Sequence, residues 1–119
     1  MAQNDMEIIV YKILSYLYEC MKAGKHPRLE DMGSTCQMFR IPQEYWNQVM
    51  EELIDCGYVK GFKHVPTKGP QSIFMMDNAG ITLKGREYLR DNSGMQRAGE
   101  FLGAAFSVLL DGIVSTIIK

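Results

Sequence analysis

The chain has 119 residues, of which 46% are hydrophobic and 23% charged, and its formal net charge is -1 at pH 7. That length and apolar content suit one globular core and exclude a disordered segment, while the near-neutral balance excludes binding to nucleic acid through a global basic excess. The opening from Met1 to Glu7 is polar and acidic and lacks the basic and apolar regions of a secretory leader, which makes the cytoplasm the expected address.

Asn4 and Asp5 are competent helix caps, and Met6, Ile9, Val10, Ile13, Leu14, Leu17 and Met21 follow at steps of three and four residues. This spacing predicts an amphipathic helix ending near Gly24, with Pro27 discouraging its continuation. Glu30 to Phe39, with Met32, Cys36 and Phe39 inward, reads as a second helix of about two to three turns. Pro42 then opens a third helix through Asp55, on which Trp46, Val49, Met50, Leu53 and Ile54 repeat at helical spacing before Gly57 ends it. Tyr58 to Phe62 switches to a strand pattern, and the prolines and glycine between His64 and Pro70 mark a hairpin tip. Ile73 to Met76 is expected to pair back, Asp77 to Gly80 to turn, and Thr82 to cap a fourth helix with Leu83, Tyr88 and Leu89 inward. Asn92-Ser93-Gly94 punctuates the chain, dividing a domain of residues 1–93 from an apolar helix within residues 94–119.

Helix, helix, helix, strand, loop, strand, helix is the order of a winged helix-turn-helix, an α+β fold whose hairpin is the wing. The segments Ile54-Asp55-Cys56-Gly57-Tyr58-Val59-Lys60-Gly61, Gly69-Pro70 and Ile81-Thr82-Leu83-Lys84-Gly85-Arg86-Glu87-Tyr88-Leu89, in this order and spacing, resemble the YjcQ-like family of prophage-associated winged-helix proteins. The likeness covers about Met6 to Ser93. It implies that fold and a bacterial or phage setting, and it carries over no binding residues.

In a helix-turn-helix module the exposed N-terminal face of the second motif helix enters the major groove, here Gln43, Glu44, Asn47 and Gln48. Gln and Asn can pair bidentately with adenine, and Glu can accept from cytosine. Against this, Glu44, Glu51, Glu52 and Asp55 make the helix acidic, which repels phosphate and equally suits an ordinary solvated face. Basic residues gather downstream, where Lys60, Lys63, Lys68, Lys84, Arg86 and Arg90 outnumber Asp77 and Glu87. Lys60, Lys63, His64 and Lys68 are therefore the candidate phosphate contacts of the wing, with scattered surface lysines as the plainer explanation. Lys22, Lys25, His26 and Arg28 form a second basic cluster that would enlarge this patch if the two meet in space.

Cys20, Cys36 and Cys56 match neither a zinc-finger spacing nor an even disulfide set and read as free buried thiols. His26 and His64 have no metal-ligand neighbours at suitable spacing, and no nucleophile elbow, HExxH or phosphate-cradling loop is present. The chain is thus expected to be non-enzymatic, with no metal and no cofactor. Trp46 lies in register with the apolar face of its helix, as a core anchor does.

From Phe101 to Ile118 the only charge is Asp111. Such a helix spans about 27 Å, the short end of a bilayer span, and a mid-membrane Asp costs several kcal/mol, so a soluble role is favoured. Phe101, Leu102, Ala105, Phe106, Leu109, Ile113 and Ile117 are the candidate self-association residues, with folding back on the same chain and membrane or heterologous contact as alternatives. The leading expectation is a regulator of a prophage or mobile element that binds double-stranded DNA and forms a homo-oligomer through this helix. The alternative is a protein-interaction or assembly module that keeps the winged fold without binding DNA.

Overall fold

Helix α1, Met6–Ala23, is buried on nearly every side: Ile8, Ile9, Ile13, Leu14 and Tyr16 are fully inaccessible, with Val10, Lys12, Leu17 and Cys20 nearly so. The computed structural model, which describes residues 1–65 and 72–118, packs around it three further helices, α3 (Gln43–Asp55), α4 (Leu83–Asp91) and α5 (Ser93–Ser115), and a β-hairpin. The apolar stripe read from the sequence covers only part of this surface, and its terminal members Met6 and Met21 are exposed. The helix ends at Gly24 in the left-handed region, as its sequence predicts.

Helix α2 is a single turn, Leu29–Met32, not the two to three turns expected over Glu30 to Phe39. Gly33 is extended, and the chain then closes on itself: the Cys36 N–H donates to Phe39 O at 3.0 Å, the Ile41 N–H to Ser34 O at 2.9 Å, and Thr35 bridges Arg40. Gly33, Ser34 and Thr35 all favour caps and turns over helix interiors. Met32 and Phe39 are buried as expected, and Met38 and Ile41 join them. Helix α3, Gln43–Asp55, is anchored by Trp46, which is 1% exposed and donates its indole N–H to Met32 O at 2.8 Å. That bond satisfies a carbonyl at the end of α2 and fixes the two helices relative to each other.

Strands β1, Val59–His64, and β2, Ile73–Ile81, pair antiparallel. Val59 faces Ile81 and Lys60 faces Gly80, but Phe62 faces Met75, so residues 76–79 lie opposite Gly61 alone. The turn expected at Asp77 to Gly80 is instead this irregularity within one strand. Gly61 has φ +75°, and a Cβ there would collide with the Ala79 backbone and lie 2.6 Å from the Asn78 carbonyl carbon. Only glycine permits both the angle and the approach. The expected hairpin tip, with Lys68, Gly69 and Pro70, lies outside the described residues.

Thr82 caps α4, Leu83–Asp91, by accepting from the Gly85 N–H at 3.0 Å, as predicted. Leu83, expected inward, is 75% exposed, because it is the first residue of the helix and points away from the hairpin that Gly85 abuts. Tyr88 stacks on Tyr58 with ring centroids 4.4 Å apart. Asn92 then caps α5, Ser93–Ser115, accepting from the Gly94 and Met95 N–H groups at 2.9 and 3.2 Å. By length and composition α5 is the one helix among the described residues apolar enough to cross a membrane. It is not straight, however, since Gly103 sits at φ 66° and ψ -160°. Past this break the chain lies along α1, burying Phe106, Leu110, Ile113, Val114 and Ile117 in the same core as Ile13, Trp46 and Ile73. Residue 93 therefore marks a change of helix within one hydrophobic core. The architecture is α+β, with five helices and one two-stranded antiparallel hairpin among the described residues, an arrangement compatible with a winged helix.

The Gly103 angles belong to a region that is essentially closed to residues with a Cβ. Gly103→Ala, although no neighbouring atom crowds the position, is expected to lower the unfolding free energy by about 1–3 kcal/mol in urea denaturation. An unchanged midpoint would show that the break carries no strain for other residues.

Lys12 is 6% exposed and donates from Nζ to Met38 O at 2.8 Å. Burial holds its ammonium pKa below the usual lysine value, so the folded chain sheds this proton before the unfolded chain does. Between the lowered folded value and about 10.4, this group makes stability rise with pH. In parallel denaturation series, the stability of the parent relative to Lys12→Met is expected to improve as pH is raised through that window. A difference independent of pH, or moving the other way, would contradict it.

Candidate nucleic-acid interface

The inner face of α3 is fixed by Trp46, Val49, Met50 and Leu53, which sends Glu44, Gln48, Glu52 and Asp55 outward. Gln43 and Asn47 are half-buried and joined: Ser34 Oγ donates to Gln43 Oε1 at 2.8 Å, and Gln43 Nε2 donates to Asn47 Oδ1 at 3.0 Å. Of the four sequence-predicted base contacts, Glu44 and Gln48 are thus open to solvent, whereas Gln43 and Asn47 share a chain of bonds with the α2–α3 loop. The exposed surface of this helix is acidic.

Lys60, Lys63 and His64 are all exposed on β1. His64 Nε2 lies 2.8 Å from Glu51 Oε1, tying the hairpin to the acidic helix. Lys63 stands directly opposite Phe74, which is 43% exposed, and Met76 is 49% exposed on the same strand. These two apolar side chains escaped the sequence reading; the period-two alternation that buries Ile73 would have pointed Phe74 outward. Lys68 lies outside the described residues.

The two basic clusters do meet: Lys25, His26 and Lys60 line one recess of about 290 Å³ together with Asp77. Most of the upstream cluster is nevertheless engaged in holding the fold. Lys25 Nζ donates to the carbonyls of Val114 and Ser115 at 3.1 and 3.4 Å, at the negative end of α5. His26 Nε2 donates to Asp77 O at 2.8 Å, clasping the irregular part of β2. Lys22 pairs with Glu19 at 2.8 Å.

Arg28 is the most heavily engaged. Its Nε and Nη2 donate to the two carboxylate oxygens of Asp31 at 2.8 and 3.0 Å, and Nη2 also donates to Thr116 Oγ1 at 2.8 Å. Tyr16 donates its hydroxyl to Asp31 Oδ2 at 2.7 Å and accepts the Arg28 N–H at 2.8 Å. Burial first, and the Asp31 contact after it, push the Tyr16 phenol well above its usual range, so it stays a neutral donor. The network joins α1, α2 and the end of α5.

The candidate self-association residues divide in two. Phe106, Ile113 and Ile117 are 3–7% exposed and belong to the core of their own chain, as does most of Leu102, so they offer no surface to a second copy. The reason is the break at Gly103, which turns them onto α1; the Phe106 ring lies 6.0 Å from Tyr11. Phe101 (42% exposed), Ala105 and Leu109 remain outside, joined by Val108 at 73%. Cys20 is buried, and burial pushes its thiol up to about 11, whereas Cys36 and Cys56 are only half-buried. Among the described residues no group of His, Cys, Asp and Glu is placed to hold a metal ion.

An α+β chain with this element order, a basic hairpin and an acidic third helix is of the broad winged-helix-compatible class. A family model described as YjcQ protein matches residues 11–104, and the chain belongs to that family. The match begins within α1 and ends just after the Gly103 break. No curated protein and no solved structure matches the chain.

Asp31→Ala removes three donors' acceptor and leaves the Tyr16 hydroxyl buried without its partner, so it is expected to lower the unfolding free energy by about 3 kcal/mol. Denaturant titration followed by Trp46 fluorescence measures it. A loss within about 0.5 kcal/mol would mean that the network is ornamental to the fold.

Proposed function

We infer that the protein is a non-enzymatic, cytoplasmic DNA-binding regulator of the winged-helix type, serving a prophage or mobile element. The hairpin makes the principal contact, with Lys60 and Lys63 neutralising phosphates. The observation that carries this reading is the outward face of the hairpin, where Lys63 stands beside the exposed Phe74 and where Lys60 adjoins the recess lined by Lys25 and His26. Cations beside exposed apolar side chains suit a duplex, in which phosphates flank grooves that accept an apolar wedge. Helix α3 contributes Glu44 and Gln48, a weaker base-reading set than four residues would give. Two copies pair through the outer face of α5 at Phe101, Ala105, Val108 and Leu109, which presents two hairpins to one site.

A second reading, a protein-interaction module that does not bind DNA, is favoured by one observation: the exposed surface of α3 carries Glu44, Glu52 and Asp55 and no basic residue. The two differ in their response to salt. Fluorescence anisotropy on genomic fragments is expected to show binding that weakens about tenfold or more between 50 and 200 mM salt and is lost in the Lys60→Ala, Lys63→Ala double variant, while light scattering gives twice the chain mass. Absence of binding at low salt, or a double variant that binds like the parent, would transfer the assignment to the second reading.

A further inference from the structure

Helix α5 changes direction at a single residue. Gly103 holds φ 66° and ψ -160°, and the chain is helical on both sides of it. Nothing in the segment Phe101-Leu102-Gly103-Ala104-Ala105-Phe106 calls for a stop, since it has no proline and no side chain that caps a helix N-terminus. Nor does a contact hold the break in place. A Cβ at Gly103 would meet no atom of another element within 4 Å, and Phe101, Ala104 and Ala105 around it are exposed.

The cause of the break lies further along the chain. Phe106, Leu110, Ile113, Val114 and Ile117 are buried in the core shared with α1. The end of the segment is fastened by Lys25 Nζ on the Val114 and Ser115 carbonyls and by Arg28 Nη2 on Thr116 Oγ1. Every one of these contacts lies beyond Gly103, so opening that one turn releases them together.

The turn is costly, because its angles belong to a region closed to most residues and because a helix restarted after it has first-turn N–H groups without intrahelical acceptors. A straight helix restores those bonds. It also carries Phe106 to Ile117 away from α1 of the same chain, and so apolar a surface cannot stay in water. The surface already shaped to receive it is α1 of a second copy, with Lys25 and Arg28 in place. Short connections under strain favour exchange of this kind. The closed chain also leaves Phe101, Val108 and Leu109 exposed, apolar surface that association can cover.

We propose that residues 104–118 form an exchangeable arm: α5 straightens at Gly103, and each arm packs on α1 of a second copy of the chain. The contacts are those of the closed chain, with Phe106 beside Tyr11 and Arg28 on Thr116, now made between copies. The inference rests on the two-copy assembly proposed above and names how the copies are joined; DNA binding has no part in it.

In the test, isotope-labelled and unlabelled chains are unfolded in urea, mixed and refolded at high concentration, and isotope-filtered NOEs then report contacts between copies alone. An interchain NOE between the Tyr11 and Phe106 rings is expected, since their centroids lie 6.0 Å apart in the closed chain. Light scattering should give a dimer fraction that grows with the concentration at refolding. Gly103→Ala, which penalises the turn and favours the straight helix, should raise the dimerisation constant about a hundredfold, roughly tenfold for each chain. A Gly-Ser-Gly spacer inserted after Gly103 relaxes the turn and should lower the constant below the parent's. A parent that stays monomeric at every concentration would overturn the proposal, as would a spacer variant that dimerises like Gly103→Ala. A dimer with interchain NOEs from Phe101, Val108 and Leu109 but none between Tyr11 and Phe106 would overturn the exchange and leave pairing through the outer face of α5 standing. Should Gly103→Ala fail to fold, the Tyr11–Phe106 NOE in the parent decides alone.

Discussion

The structure depends on covering α1. A helix with Ile8, Ile9, Ile13, Leu14 and Tyr16 inaccessible and Leu17 nearly so needs cover from several elements, and α5 packs against it together with the hairpin, α4 and α3. The share that α5 supplies requires the chain to turn at Gly103, past which Phe106, Leu110, Ile113 and Val114 join the same core as α1. Burying such side chains is worth roughly 1.5–3 kcal/mol each before ordering entropy is subtracted. That gain is large against the net stability of a small domain, so the apolar helix is an integral layer of the fold.

The same closure explains where the positive charge has gone. Lys25 caps the end of α5, Arg28 reaches Thr116 in the same region, and His26 holds the irregular stretch of β2. These side chains look like a basic patch when their charges are counted along the chain, yet in space they fasten the C-terminal segment and the hairpin to the α1–α2 turn. Lys60 and Lys63, exposed on β1, take no such part among the described residues. Functional assignments drawn from charge therefore centre on the hairpin.

What the sequence disclosed followed the range of the interactions involved. Helices α1 and α3, the Thr82 cap and the role of Trp46 rest on spacing within one or two turns, and all were legible. Met32, Cys36 and Phe39 mimic helical spacing, which concealed the extended Gly33 and the Thr35–Arg40 bridge that end α2 after one turn. The irregular pairing of β2 depends on the close approach of Gly61 to Ala79, an event between strands that local composition does not encode. At the candidate interface, the exposed residues of α3 and β1 were legible by periodicity, whereas the Ser34–Gln43–Asn47 chain and the Glu51–His64 pair were not, since each joins separate elements. The division of the C-terminal helix into a buried and an exposed face was hidden for the same reason: at Gly103 the apolar stripe changes direction, so no single helical wheel describes it.

Native-state hydrogen exchange across a denaturant series tests most directly whether the helix beyond Gly103 is part of the cooperative core. The amides of Ile9 to Leu17 and of Phe106 to Val114 are expected to converge on one opening free energy, because each segment buries the other. Exchange of the Phe106 to Val114 amides at nearly unprotected rates, while those of α1 remain slow, would contradict this and leave α1 to be covered by some other means.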